Sequence, residues 1–322
     1  MPLRIPIAKF VAKRLAFGLL TLFIVSVLIF VLTHALRGDP ASIILGRDAT
    51  PEALKDLRSQ SGLDKSLMNQ YGHWISGVLH GDLGESFITH RSVWEYLSPR
   101  VGKSLFLMFC TGLISVPLSI AVGSYAALRR DRHFDNISSI VLLILASLPE
   151  FVVGALLVIL LATNITHILP GTSTSFDKPP WGDPKLLILP ILTLVIAVLP
   201  YVARVTRAAV LEVLESDYVE MARLKGMPER TVLLRHALPN AIGPILQVIA
   251  LNLAYLAGGV IVVEAVFNYE GIGTALREGV RSRDLPVIQF LALTISSVYI
   301  LTNLAADIGT VLATPRLRTS LT

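Results

Sequence analysis

Few residues in this chain have the types and spacing for bond-making chemistry, and the strongest of them fail on a second requirement. Gly102-Lys103-Ser104 has the ending of a phosphate-binding loop, in which backbone amides cradle phosphate oxygens and the lysine reaches the terminal phosphates. Such a loop also needs a strand ahead of it and a glycine five positions before Gly102, where this chain has Leu97. The 7 histidines are scattered, and no pair has the i, i+4 spacing with an acid that holds a hydrolytic zinc ion. His34 and His80 therefore read as interfacial or loop residues. No Gly-x-Ser-x-Gly elbow offers a serine nucleophile. The single cysteine, Cys110, has no partner for a disulfide or a metal site. We expect no catalytic residue, metal ligand set or cofactor in this chain.

Polar residues inside apolar runs are the remaining candidates. Glu150 falls in the middle of such a run, and Gln247, Asn252, Asn303 and Asp307 lie in others. A carboxylate at the centre of a bilayer costs on the order of 3 kcal/mol, so Glu150 must face protein or a wet cavity. Two readings stay open for it: a cavity wall touching a cationic group of a substrate, or an intersubunit hydrogen bond where Pro149 breaks the helix. The other four admit cavity lining or helix–helix packing. Ala257-Gly258-Gly259 permits close helix approach and reads as packing.

The elements that must position these residues are membrane spans. Of 322 residues 53% are hydrophobic and 16% charged, with a mean hydropathy of +0.66. That is more apolar surface than a water-soluble fold of this size buries. The net charge of +5 is no nucleic-acid footprint, because the basic residues stand at the ends of apolar runs and not on one face. No nucleic-acid partner is expected; the lipid bilayer is. Six segments reach the roughly 20 apolar residues a crossing needs: 15–36, 104–128, 137–162, 186–203, 241–263 and 287–313. The first far exceeds the apolar core of about 7–15 residues of a signal peptide, so it is expected to stay as an anchor. The expected class is all-α: a polytopic membrane protein of six transmembrane helices.

Lysine and arginine in the short connections set the orientation. Fifteen stand beside residues 1–14, 129–132, 204–235 and the carboxyl end, against five in the loops 163–185 and 264–286. Both termini are therefore expected in the cytoplasm. Segment 37–103 is expected outside, as a small extracytoplasmic cap with turns at Gly38-Asp39-Pro40, Ser61-Gly62 and His80-Gly81-Asp82. Within it Pro51 to Gln60 predicts one short helix and Leu67 to Leu79 an amphipathic one. The outer loop 164–185 carries no periodic apolar face and reads as irregular.

The stretch between the fourth and fifth spans, 206–239, is the most informative. Val210, Val213, Leu214, Tyr218, Met221 and Ala222 recur at helical spacing and predict one apolar stripe from about Thr206 to Arg223. Gly226 suits a left-handed helix end, and Pro228-Glu229 suits the first turn of a second short helix. A helix, a glycine turn and a helix would protrude beside the membrane as a lever that a soluble partner could grip.

Glu220-Met221-Ala222, then Gly226 after three residues, then His236-Ala237-Leu238-Pro239 after nine more, resembles the "EAA" loop of ABC-importer permeases. Met221 and His236 depart from the general pattern and suit the dipeptide and oligopeptide branch, as do Tyr218, Arg223, Lys225 and Asn240. Further resemblance runs along the chain: Gly62-Leu63-Asp64, His80-Gly81-Asp82-Leu83-Gly84-Glu85-Ser86, Val263-Glu264-Ala265-Val266-Phe267, Arg283-Asp284-Leu285-Pro286, Asn303-Leu304 with Asp307, and Pro315-Arg316. The chain is similar to the first of two related permeases, the type with an enlarged segment between spans one and two.

This resemblance implies a translocation path for peptides or a related solute in the inner membrane of a prokaryote, with 104–313 as the permease domain. It implies a second homologous permease, an extracytoplasmic solute-binding protein, and two ATPase subunits that bind ATP and Mg. Tyr218, Glu220, Met221, Ala222, Arg223, Lys225, Gly226, His236, Leu238 and Pro239 would form the contact with the ATPase. The rival is a secondary carrier or channel working without ATPases, which should show matching broken helices in two halves. Prolines occur in spans two, three and four, but no matching halves are visible.

Overall fold

The computed structural model describes residues 4–35, 40–45, 50–60, 62–163, 168–174 and 182–313. The predicted turn at Gly38-Asp39, Ser61, Pro315-Arg316 and residues 164–167 and 175–181 of the loop 164–185 lie outside them; within that loop 168–174 is irregular as expected, and Lys185 already opens a helix. The described residues form helices and no strand, apart from one isolated bridge between Glu85 and Ser92. Among them five helices are long and apolar enough to cross a membrane: α1 (Arg4–Ala35), α5 (Val93–Leu128), α8 (Lys185–Leu214), α11 (Leu238–Phe267) and α13 (Leu285–Ala313). A sixth crossing is made only if α6 (His133–Ser147) and α7 (Glu150–Leu161) count as one span bent by 105°.

That bend falls at Pro149 and Glu150, the residues that interrupt the expected third span over 137–162. Proline has no amide to donate, and its ring drives the residue before it out of the helical region. Leu148 and Pro149 are both extended, with ψ of 127° and 144°. By contrast α8 carries Pro190 and Pro200 without a break. Three boundaries also move outward. The helix containing the first span starts at Arg4, that of the second starts at Val93 inside the predicted cap, and the fifth extends to Phe267. The remaining predicted outer loop, 264–286, contains the helix α12 (Ile272–Ser282).

The chain divides into two compact units. The first comprises 1–16, 106–269 and 298–322. Its core is built on α8, whose buried Leu189, Leu194, Val198 and Val202 pack with Ile245, Leu256, Val260 and Phe267 of α11. Pro190 and Pro200 are themselves buried in this packing. The second unit comprises 17–105 and 270–297. Here α2 (Pro40–Leu45), α3 (Pro51–Gln60) and α4 (Leu67–His80) follow α1, and the predicted helices over Pro51 to Gln60 and Leu67 to Leu79 are present. Its own core joins Val93 and Leu97 to Ile272, Ala275, Phe290 and Leu291.

The second unit also settles what Gly102-Lys103-Ser104 does. The three residues sit inside α5, not in a loop. Lys103 pairs with Glu270 at 2.9 Å, and the buried Ser104 hydroxyl accepts the Ile272 amide at 2.9 Å at the start of α12. Asp284 pins the neighbouring loop, accepting the Ser86 hydroxyl at 2.5 Å and the Phe87 amide at 3.1 Å. His34 and His80 each hold a carbonyl of their own helix, and His34 also meets Gln70.

Candidate functional site

The segment 206–239 folds as a hairpin, though not with the one continuous first helix that the apolar spacing suggested. Helix α8 stops at Leu214, the chain turns through Glu215 and an extended Ser216, and α9 (Asp217–Leu224) begins. The Ser216 hydroxyl donates to Val213 O at 2.5 Å, so it closes the end of α8. The break rotates the apolar stripe. Val210, Leu214, Val219 and Ala222 are buried in the first unit's core, whereas Tyr218 (46%) and Met221 (54%) are exposed. With Leu224, 75% exposed, they line an open edge of α9.

Gly226 then reverses the chain. Its φ of +78° lies in the left-handed region, where a residue with a Cβ is disfavoured. Its amide donates to Arg223 O at 2.9 Å, and that of Met227 to Ala222 O at 3.3 Å, so carbonyls at the end of α9 find donors. A Cβ on Gly226 would meet nothing within 4 Å, so the requirement for glycine is set by backbone conformation alone. Pro228 is extended and Glu229 opens α10 (Glu229–Thr231). Across the turn Arg223 clamps Glu229 with Nε to Oε1 at 2.9 Å and Nη2 to Oε2 at 3.2 Å, and its Nη1 donates to Leu214 O at 3.3 Å. One guanidinium thus ties three points of the hairpin together.

The return strand of the hairpin contains a wide turn. Val232–Ala237 is a π-helical segment leading directly into α11. Pro239 at the start of α11 has no amide for the ladder, which gives a physical reason for the widening. The carbonyl of His236 is met by side chains, accepting Asn240 Nδ2 at 2.7 Å and the Tyr218 hydroxyl at 3.4 Å. The structure therefore brings Tyr218, Ala222, Arg223, Gly226, His236, Leu238 and Pro239 into one braced hairpin. Glu220 and Lys225 are exposed on it beside Met221.

Sequence reasoning missed the groups that anchor this hairpin to the first unit. Asp135, 1% exposed, accepts Nε and Nη2 of Arg207 at 2.5 and 2.6 Å and the Asp131 amide at 3.0 Å. Arg130 pairs with Glu215 at the end of α8. Arg130 and Arg207 were visible only as topology signals, because no local spacing rule links partners this far apart in the chain. The buried Val232 was likewise missed.

The five polar candidates of the spans do not form one cluster. Glu150 opens α7 directly after the bend, and its Oε2 accepts the Tyr255 hydroxyl at 3.0 Å. Gln247 is exposed on α11 along the same helical edge as Pro244, Leu251, Tyr255 and Gly258. Asn252 and Asn303 each donate to the carbonyl four residues back, at 2.9 Å. Asp307 pairs with Arg14 at 3.2 Å. In the second unit a cavity of ≈ 560 Å³ is lined by Trp74, Gln289 and several histidines, and no group of three metal-binding side chains occurs among the described residues.

The sequence matches the family profile described as "Binding-protein-dependent transport system inner membrane component" over residues 119–319. Residues 7–108 match that of "Binding-prot-dependent transport system membrane comp, N-term". The chain is 36% identical to the "Probable peptide ABC transporter permease protein y4tP" of Sinorhizobium fredii, over 96% of this chain and 99% of the relative. It is 38% identical to the "Glutathione transport system permease protein GsiC" of Escherichia coli, again over 96% and 99%. The same figures hold for the protein of that name in Shigella flexneri.

Proposed function

The chain belongs to the family of binding-protein-dependent transport system inner membrane components, and from that premise we propose that its 206–239 hairpin is the contact through which separate ATPase subunits drive transport. It is a permease subunit of an ABC importer. The observation that carries the coupling reading is the open edge of α9. Tyr218, Met221 and Leu224 are exposed on a hairpin whose opposite face is buried and whose turn is braced by Arg223. An apolar edge ringed by Glu220, Arg223 and Lys225 suits a protein groove better than lipid beside an anionic leaflet.

In this reading α9 seats in the ATPase on the cytoplasmic side, with both chain termini on that side and residues 37–92 outside. A second, homologous permease completes the path, two ATPase subunits bind ATP and Mg, and an extracytoplasmic binding protein delivers cargo. Closure of the ATPases would move α9, and the bundle would rock between states that differ in which side is open; nucleotide biases that equilibrium by binding one state better. The names of these relatives support peptides or glutathione as cargo.

The test is Gly226→Val in the reconstituted transporter. A β-branched residue cannot hold a φ of +78° without strain, so the turn should reshape while the spans still insert. Hydrolysis of ATP is expected to continue with uptake lost. Normal coupled uptake in this variant would refute the assignment. A carrier working without ATPases is separated by co-purification, since this chain should bring an ATPase down with it.

A further inference from the structure

We infer that Glu150, Tyr201 and Tyr255, beside the carbonyl end of α6, form a seat for the protonated amine of the transported solute. The inference rests on the import reading above and deepens it by naming the chemical class recognised inside the bundle.

Glu150 uses one oxygen for the Tyr255 hydroxyl, and its Oε1 has no hydrogen-bond partner among the described residues. Gly259 of α11 faces that oxygen, and a Cβ there would lie 3.8 Å from it. The tyrosine rings are half-exposed, 48% for Tyr201 and 50% for Tyr255, although both stand in helices long enough to span the membrane. Tyr201 donates to Ala146 O at 3.5 Å, in the last turn of α6. All of these groups belong to the first unit.

The bend at Pro149 makes this possible. It ends α6 at Ser147, beside Tyr201 of α8, so the negative end of that helix and its last carbonyls stand where a continuous span would have none. It also places Glu150 in the first turn of α7, facing Tyr255 of α11. A carboxylate, carbonyl oxygens and two aromatic rings are what a primary ammonium binds through an ion pair, hydrogen bonds and cation–π contact. Broken membrane helices present cations with carbonyls in the same manner. A bare divalent ion would require more oxygens than one carboxylate and a carbonyl edge supply.

The experiment uses the whole transporter, with its second permease, ATPases and binding protein, in proteoliposomes. Uptake of alanyl-alanine is measured against N-acetyl-alanyl-alanine, for the unaltered chain and for Glu150→Gln. Selection by the binding protein is common to both and cancels when the two ratios are compared. Removing the charge should lower the free-amine to acetylated ratio about tenfold. Tyr255→Phe, which keeps the ring and removes the hydroxyl holding Oε2, should lower it about threefold. Assembly is followed by co-purification of the ATPases; if Glu150→Gln fails to assemble, Tyr255→Phe decides. An unchanged ratio in assembled variants overturns the site, including the case in which both solutes slow equally because Glu150 makes only an intersubunit hydrogen bond. Loss of coupling in Gly226→Val is read separately, so the two ideas fail independently.

Discussion

Arg223 illustrates how little energy a functional brace needs. Its side chain is 40% exposed and that of Glu229 is 57% exposed, so the pair is wet and contributes on the order of 0.5 kcal/mol to stability. Its geometry matters more, because the same guanidinium reaches Leu214 O and fixes the angle between α8 and α10. We therefore expect Arg223→Ala to leave thermal unfolding almost unchanged while uptake per ATP hydrolysed falls severalfold. A lysine at this position should rescue poorly, since it cannot fork across the carboxylate. Asp135 is the opposite case, a buried acid with a bidentate partner. Asp135→Ala leaves Arg207 without its carboxylate, and removal of one member of such a pair costs about 3 kcal/mol. Thermal denaturation of the purified protein should show that loss, and Asp135→Ala with Arg207→Ala together should recover part of it.

At the scale of elements, three helices depart from regularity, and each departure has a chemical cause. Helix α6 stops where Leu148 precedes Pro149, α9 stops at the left-handed Gly226, and the ladder opens at Val232–Ala237 before Pro239. The two interior prolines of α8 make no break; both are buried in the first unit, and the helix runs on through them. Replacing Pro149 by alanine should favour a continuous span over 137–162. The expected outcome is loss of uptake with normal membrane insertion, checked by transport in vesicles and by blotting of the membrane fraction.

At the scale of the whole molecule, sidedness decides whether the parts can work as proposed. With Cys110 replaced by serine, Met221→Cys gives a single thiol on the exposed edge of α9. A membrane-impermeant maleimide should label it in inverted vesicles and not in intact cells, and bound ATPase subunits should protect it. Labelling from outside the cell would reverse the topology on which the coupling reading stands.

The amino-acid sequence by itself determined the membrane class, the helices at Pro51–Gln60 and Leu67–Leu79, the turn at Gly226 and the family to which the loop belongs. These follow from local rules: run length against bilayer thickness, helical period, and the conformations open to glycine and proline. The tertiary structure alone decided the 105° bend, the rotation of the apolar stripe at Ser216, the Asp135–Arg207 pair and the meeting of Glu150 with Tyr255. Each of those depends on which groups distant in the chain compete for the same space or the same proton. Pro149 warned of a break but could not say how sharply the chain would turn, since the angle is fixed by the packing of α6 and α7 against α8.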